Sequence, residues 1–253
     1  MELASSLDIG SGKTVILDDY FNHETKKDDN GRTITWHYKW DEWQNGGYSL
    51  WGKVFNNFGA ATTTLSAEPT EKNLAGASVY IIVDPDTDQE TSDPKYVTPQ
   101  DADAIAGWVK GGGVLAIMAN DLGNCDLEHT NLLAAKFGIQ FNMDSVNHVE
   151  GNKYEQGMVM VNGPNEVLTT AKKLYLKEIS TLRLSPPAKP LLIHNGAAIM
   201  ATAKYGKGAV FVVGDPWIYN EYTDGRKLPS DYDNYKAAQD LSRWLLTQAR
   251  KNK

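Results

Sequence analysis

The chain has 253 residues, with 41% apolar and 23% charged side chains and a formal net charge of −7. This composition is typical of one globular domain with a substantial core. The negative charge, without a basic stripe, disfavours nucleic acids and anionic membranes as partners. No apolar run approaches the ~20 residues that span a bilayer, and no basic segment followed by an apolar one marks a signal peptide.

The start of the chain has the composition of a linker. Residues 1–12 are mostly small or polar, and the first apolar, β-branched run starts near residue 13. We therefore expect a linker at 1–12 and a domain at 13–253, a pattern consistent with a domain cut from a longer protein. The single cysteine, Cys125, excludes an internal disulfide and any metal site built from several thiolates, and it does not fix the compartment.

The first half of the chain alternates apolar runs with amphipathic segments. A long polar and aromatic loop, residues 19–43, follows the first run, and long loops of this kind are often functional. The predicted strands are 13–18, 62–65, 78–83, 114–118 and, near the end, 209–213. The predicted helical segments are 42–58, 69–77, 99–111, 126–137 and 234–249. This alternation predicts an α/β fold of the flavodoxin-like, doubly wound type, with a mainly parallel sheet and helices on both faces.

Residues 139–204 have a different pattern. Short apolar runs at 139–142, 158–161, 191–193 and 199–203 are separated by turn residues. Such runs are typical of antiparallel strands. We therefore predict a β-rich insertion, or a small antiparallel extension at one edge of the sheet.

Acidic and amide side chains follow the ends of four predicted parallel strands. They are Asp18, Asp19, Asp84, Asp86, Asn120, Asp121 and Asp215. Ligands bind outside the carboxyl ends of strands in open α/β sheets, so these residues predict a shared site. The alternative at each position is a residue that caps the next helix or begins a turn.

The segment 214–226 is the densest cluster of polar and aromatic residues. Aromatic faces beside carboxylates and amides suit sugar rings, and the same oxygens suit Ca²⁺ or Mg²⁺, with Asp84 and Asp86 as the candidate metal ligands. No other cofactor is predicted. The alternative is a loop that closes over the sheet edge, with Trp217 and Tyr219 as its own small core. The further candidate ligand-binding residues are Tyr20, Asn22, His37, Trp40, Asn124, Trp217, Tyr219, Asn220 and Glu221.

No catalytic residue is fixed by the sequence. The strand-to-helix elbow, where related architectures place a Ser or Cys nucleophile, holds Asn120 and Asp121. Cys125 lies too far along to occupy the elbow, which disfavours acyl transfer. No histidine pair has the spacing of a zinc peptidase. Asp19, His23 and Asp121 are the candidates for acid or base chemistry, and a merely hydrogen-bonding role is the alternative for His23.

The order of elements, the elbow, and the segments 205–208 and 214–217 resemble the class I glutamine amidotransferase-like superfamily. More narrowly, the segments 18–22, 84–87 and 214–222 resemble domains appended to bacterial unsaturated rhamnogalacturonyl (glucuronyl) hydrolases. The resemblance implies the fold, a setting in polysaccharide breakdown, and a periplasmic or extracellular location. It implies no glutaminase, because Asn120-Asp121 replaces the nucleophile and Asp215-Pro216-Trp217 replaces the His–Glu pair.

Three functions remain open at this level. The first is a non-catalytic accessory domain that binds an acidic or neutral oligosaccharide, or packs against a catalytic domain of the same or another protein. The second is a glycoside-active enzyme that uses two carboxylates with different pKa values at the sheet edge. The third is a structural dimerisation domain, which an exposed apolar patch would favour.

Overall fold

The computed structural model describes residues 8–249, and within that range the chain forms thirteen strands and six α-helices. The strands are β1 Thr14–Asp18, β2 Thr25–Lys27, β3 Thr33–Thr35, β4 Ala61–Leu65, β5 Val79–Val83, β6 Val114–Met118, β7 Ile139–Phe141, β8 Met158–Met160, β9 Lys173–Tyr175, β10 Leu182–Leu184, β11 Ala188–His194, β12 Ala197–Tyr205 and β13 Gly208–Val213. The helices are α1 Ser49–Asn57, α2 Glu71–Leu74, α3 Pro99–Gly111, α4 Leu127–Ala134, α5 Asn220–Thr223 and α6 Asn234–Gln248.

The five strands predicted to be parallel are parallel neighbours. Their spatial order is β4-β1-β5-β6-β13, the doubly wound order of flavodoxin-like folds. The predicted fold class is therefore confirmed. The order reverses between β1 and β5, because the chain leaves β1 for β4 on one side and returns to β5 on the other. Ligand sites in such sheets lie outside the carboxyl ends of the strands near this reversal.

The sheet separates two apolar layers. Along β5, Val79, Ile81 and Val83 face one layer, which α1 and α6 cover. Tyr80 and Ile82 face the other layer, which α3 and α4 cover. Since every residue of β5 and β6 is buried, these strands have continuous apolar sequences rather than alternating ones.

The second half of the chain extends the sheet with antiparallel strands, as predicted. β12 pairs antiparallel with β13, and β11, β10 and β7 continue from it. β8 and β9 form a separate antiparallel pair. β9 and β10 each have three residues, one of them basic, so neither forms an apolar run that the sequence pattern could reveal.

The long first loop contains structure that the sequence did not predict. β2 and β3 form a hairpin, and helix α1 begins at Ser49 rather than near Glu42. Residues 42–48 are a loop because Gly46 adopts a positive φ and Gly47 packs too closely against Glu42 to carry a side chain. Hydrogen bonds from Tyr38 N–H to Gly46 and from Tyr48 N–H to Lys39 hold this loop in place.

Only the end of the predicted linker, residues 8–12, belongs to the described part of the chain; residues 1–7 lie outside it. Gly10 is buried, and its N–H donates to the carbonyl of Phe58 at 2.7 Å. Residues 8–12 therefore pack against the domain. Across residues 8–249, none of the helices combines the length and the apolar character needed to cross a membrane.

Candidate functional site

Asp84, directly after β5, is the centre of the polar cluster at the carboxyl edge. Its Oδ2 accepts hydrogen bonds from the hydroxyl of Tyr38 at 2.7 Å and from Nδ2 of Asn120 at 3.2 Å. Its carbonyl accepts one from Nδ2 of Asn22 at 2.8 Å. Its Oδ1 is buried and makes no hydrogen bond. Burial, reinforced by the charge of Glu90, raises the pKa of Asp84 well above its usual range.

Asp86 joins the loop after β5 to the loop after β1. Its Oδ2 accepts the N–H of His23 at 2.8 Å, and its own N–H donates to the carbonyl of Phe21 at 2.8 Å. Its Oδ1 is buried without a hydrogen bond. Burial raises the pKa of Asp86 to about 7. A carboxyl group with this pKa exchanges its proton near neutrality.

Asp18 folds the loop after β1 back onto the sheet. Its Oδ2 accepts the backbone N–H groups of Tyr20, Phe21 and Asn22, and its Oδ1 accepts the hydroxyl of Tyr80 at 2.6 Å. Burial raises the pKa of Asp18 to about 6, although these hydrogen bonds oppose the shift. Asp18 thus holds a turn, the alternative that the sequence left open, and Tyr20 is partly exposed beside it.

Asp19 forms a buried ion pair with Lys39. The distance from Nζ of Lys39 to Oδ1 of Asp19 is 2.7 Å, and the two side chains are 6% and 7% exposed. Nζ of Lys39 also donates to the carbonyl and Oδ1 of Asn22. The hydroxyl of Ser66 donates to Oδ2 of Asp19 at 2.6 Å. Sequence reasoning missed Lys39, for which the one signal was a lysine between two aromatic residues in a long loop.

The elbow after β6 is closed by local hydrogen bonds. The N–H of Asp121 donates to Oδ1 of Asn120 at 3.0 Å, and Nδ2 of Asn124 donates to Oδ1 of Asp121 at 2.6 Å. Cys125 is buried, and burial raises the pKa of its thiol well above the usual range. The thiol is therefore held in its unreactive, protonated form.

Asp215, after β13, completes the edge. Its Oδ2 accepts the N–H of Lys177 at 2.7 Å. Burial raises its pKa well above the usual range, and the charges of Glu178 and Asp121 add to this effect. The carboxyl ends of β1, β5, β6 and β13 thus gather the predicted residues at one edge, but most of these side chains are buried and bonded to their own chain.

The segment after Asp215 is structural. Trp217 is 0% exposed and packs in the core layer of α1 and α6, contrary to the prediction that it lines a cleft. Asn220 is also fully buried, and its amide joins the loop before α1 to the first turn of that helix. Nδ2 donates to the carbonyls of Glu42 and Gln44, and Oδ1 accepts the N–H of Leu50. Glu221 accepts the N–H of Gly46 at 2.8 Å. Neither Trp217 nor Asn220 is available to a ligand, because each side chain is enclosed by its own chain.

The two histidines of the first loop have different surroundings. Nδ1 of His23 lies 3.0 Å from the carbonyl of Asp19, with the side chain half exposed. His37 lies between Trp36 and Tyr38, with both ring-centroid distances 4.4 Å, and its Nδ1 is 2.8 Å from Oε1 of Glu24. His37 and Tyr38 both have positive φ, which brings the three consecutive rings into one stack.

The remaining candidates pack beside this stack. Tyr219 is nearly buried, and its ring centroid lies 5.7 Å from that of Tyr38. Nε1 of Trp40 donates to the carbonyl of Thr63 at 2.9 Å, and its ring packs on Trp51 and Phe55 of α1. Within residues 8–249, no group of three or more His, Cys, Asp or Glu side chains is arranged to hold a metal ion.

An open groove of about 700 Å³ lies beside this closed edge. The hairpin β2–β3 forms one wall, and the loop 41–44 forms the other. Trp36 and Trp43 line it, together with Lys26, Lys27, Asp28, Asp29, Ile34, Thr35, Asp41, Glu42 and Gln44. We call this site the Trp36–Trp43 groove. The sequence placed both tryptophans in an aromatic loop but did not select them, because the hairpin that brings them together was not predicted.

Comparison with known proteins gives the fold but no family. No protein-family model matches the chain, and no curated protein matches it. The mmIFT52 N-terminal domain superposes with a TM-score of 0.67 and 18% identity over 93% of this chain and 98% of that one. A putative ThuA-like protein from Bacteroides uniformis superposes with a TM-score of 0.50 and 12% identity over 93% of this chain and 92% of that one.

A third similar structure is a larger enzyme. The exo-β-1,4-mannosidase Op5Man5 from an Opitutaceae bacterium superposes with a TM-score of 0.51 and 14% identity. The match covers 94% of this chain but only 36% of the mannosidase chain. At these identities the three likenesses establish the shared α/β architecture alone.

Proposed function

We propose that this chain is a non-catalytic accessory domain of a bacterial polysaccharide-degradation protein, with the glutamine amidotransferase-like fold as its scaffold. The main support for this proposal is the set of residues at the strand-to-helix elbow after β6. Asn120 and Asp121 stand where a nucleophile would act, and their side chains are engaged by Asp84, by the Asp121 N–H and by Asn124. Neither residue has the thiol or hydroxyl that acts as the nucleophile at such an elbow, and both side chains are held by neighbouring residues.

Two observations support a role in polysaccharide degradation. The sequence resembles domains appended to rhamnogalacturonyl hydrolases at the segments 18–22, 84–87 and 214–222. A domain of the same architecture also forms 36% of the chain of the exo-β-1,4-mannosidase Op5Man5. Such a domain would bind an oligosaccharide or pack against a catalytic domain.

The test combines product analysis with calorimetry on the whole chain. Pectic, glucuronic-acid-containing and neutral oligosaccharides are incubated with the protein, and new reducing ends and binding heat are followed in parallel. We expect binding heat without product. Product formed by the wild type and lost in Asp121→Asn would refute the accessory role.

A second candidate function, a glycoside-active enzyme, is favoured by one observation. Asp86 has a pKa of about 7 and a buried Oδ1 without a hydrogen bond. A carboxylic acid that exchanges its proton near neutrality meets one requirement of a general acid. Product formation that disappears in Asp86→Asn, with the exposed Asp88→Asn as the matched control, would favour this candidate.

A further inference from the structure

We propose that the Trp36–Trp43 groove binds neutral pyranose oligosaccharides, with Trp43 as the stacking surface and Glu42 as the hydroxyl acceptor at its floor. This inference rests on the proposed accessory function and names its ligand class. The groove volume of about 700 Å³ lies within the range of about 300–1,000 Å³ found for ligand sites.

Trp43 provides an aromatic surface at the mouth of the groove. Its side chain is 54% exposed, so about half of a large apolar ring system is in contact with water. Nζ of Lys53 lies 4.2 Å from its ring centroid and steadies the indole. The C–H face of a pyranose ring is apolar, so it buries favourably against such a surface, and its hydroxyls stay at the edge for hydrogen bonding.

Glu42 supplies an acceptor at the floor. Its side chain is 9% exposed, and neither carboxylate oxygen makes a hydrogen bond of ordinary geometry. Burial raises its pKa, although His37, Lys26 and nearby backbone amides oppose the shift. Lys26 is a cation 3.9 Å from Oε1, beyond hydrogen-bond distance, so a bound hydroxyl would supply a hydrogen bond that this buried carboxyl group lacks.

The groove is held in shape by residues outside it. The buried amide of Asn220 donates to the carbonyls of Glu42 and Gln44 at 2.8 and 3.1 Å. Nη2 of Arg226 donates to the carbonyl of Trp43 at 3.3 Å. On the opposite wall, Trp36 stacks on His37 at 4.4 Å. Because the walls are fixed before binding, a ligand loses less free energy in ordering them.

The charges of the lining select against acidic sugars. Four carboxylates line the groove, namely Asp28, Asp29, Asp41 and Glu42, against Lys26 and Lys27. Both lysines are already engaged. Nζ of Lys26 lies 4.2 Å from the Trp36 centroid and 3.9 Å from Glu42, and Nζ of Lys27 donates to the hydroxyl of Thr33 at 2.6 Å. Just outside this lining, Arg32 pairs with Asp28 and Nζ of Lys53 lies over Trp43. The surplus of negative charge that a uronate would meet is therefore confined to the side of the groove near Asp29, Asp41 and Glu42, where uncharged hydroxyls would meet acceptors.

The experiment is calorimetric titration of the whole chain with manno-, cello- and galacto-hexaose and with hexagalacturonate, with tryptophan fluorescence as a second readout. We expect neutral hexaoses to bind more tightly than hexagalacturonate. Trp43→Ala and Glu42→Gln should each raise Kd about tenfold or more. Tyr235→Ala, which removes another exposed aromatic ring, 41% exposed, from α6, should leave Kd unchanged.

The outcomes separate this inference from the function on which it rests. Tighter binding of hexagalacturonate, or neutral binding that Trp43→Ala does not alter, would overturn the assignment of the groove and leave the accessory role standing. Absence of binding by every oligosaccharide would also overturn the assignment and would favour a domain that packs on a partner. Only product formation would overturn the accessory role itself. Since Trp43 is exposed, its variant remains informative even if Glu42→Gln fails to fold.

Discussion

The hydroxyl of Tyr38 donates a 2.7 Å hydrogen bond to Oδ2 of Asp84, a residue 46 positions away in the sequence. This bond joins the aromatic first loop to the end of β5. Tyr38 also stacks on His37, which stacks on Trp36 at the groove. One continuous series of contacts therefore connects the open groove with the buried polar edge.

Tyr38→Phe should lower the free energy of unfolding by about 1–3 kcal/mol at pH 7, because it removes a donor from a buried carboxyl group that has few others. Urea denaturation measures this. Tyr20→Phe, at a partly exposed ring, should change stability by less than about 0.5 kcal/mol. Equal stability of Tyr38→Phe and the wild type would show that the bond to Asp84 contributes nothing.

Asp86→Asn should change how stability depends on pH. The pKa of Asp86 is about 7 in the folded state against an ordinary value of 3.8, so the native state retains this proton between the two values. Its contribution to stability is full below pH about 4 and is lost as the pH rises through 7. The asparagine variant should therefore match the wild type at pH 4 and exceed it by about 2–4 kcal/mol at pH 8.

Denaturation at pH 4, 6 and 8 checks this expectation. Asp88→Asn, two residues away and exposed, is the control and should stay within about 0.5 kcal/mol of the wild type throughout. A variant that is less stable than the wild type at pH 8 would contradict the prediction. Such a result would mean that ionised Asp86 has a partner at its Oδ1.

Lys39→Met should destabilise the fold by about 3–5 kcal/mol, because it leaves Asp19 buried without its cation. Asn22 would also lose a donor to its carbonyl and to its side-chain oxygen. The double variant Lys39→Met with Asp19→Asn removes both charges and should recover part of the loss. Chemical denaturation of the two single variants and the double variant forms a cycle, and strictly additive costs would mean that the ion pair has no coupling energy.

Asn220→Ala should lower stability by at least about 2 kcal/mol, since two carbonyls of the loop before α1 and one N–H in the first turn of α1 lose their partner. Hydrogen exchange should rise selectively in residues 42–50. The exposed Asn45→Ala is the control within the same loop. If exchange rose equally across the sheet, the effect would be global and Asn220 would not have a specific role in shaping the groove.

The protein should release no ammonia from glutamine, because the elbow lacks a nucleophile and the thiol of Cys125 is buried with a raised pKa. A disulfide reagent should label native Cys125 at least about tenfold more slowly than the unfolded chain. Ammonia release that Cys125→Ala abolishes would contradict this prediction.

The central sheet could be predicted from sequence because its strands are buried on both faces. Runs such as Val79–Val83 and Val114–Met118 are apolar throughout, and each is followed by a capped or glycine-ended helix. The hairpin β2–β3 could not be predicted in this way. Its three-residue strands are mostly polar and exposed, so they carry no hydrophobic period that would distinguish them from a loop.

The position of the candidate site could be predicted from sequence, but not whether its side chains are exposed or buried. Because the carboxyl ends of parallel strands lie at one edge of the sheet, the sequence predicted that Asp18, Asp84 and Asp215 would lie close together. Whether they face solvent depends on loops packed from far along the chain, such as the N–H of Lys177 on Asp215 and the hydroxyl of Tyr38 on Asp84. Trp217 shows the same limit, because an aromatic residue in a polar loop has the same local pattern whether it points outward or into the core.

The alternation along β5 has an energetic consequence. Ile81 and Ile82 are neighbours in sequence, yet their side chains enter different layers of the core and share no packing partner across the sheet. Losses from substitutions in opposite layers should therefore sum, whereas two losses within one layer should couple by about 0.5–3 kcal/mol. The sheet acts as a partition, so packing losses under α3 should stay in that layer, which includes Phe21 of the first loop, and should leave the layer under α1 and α6 unchanged.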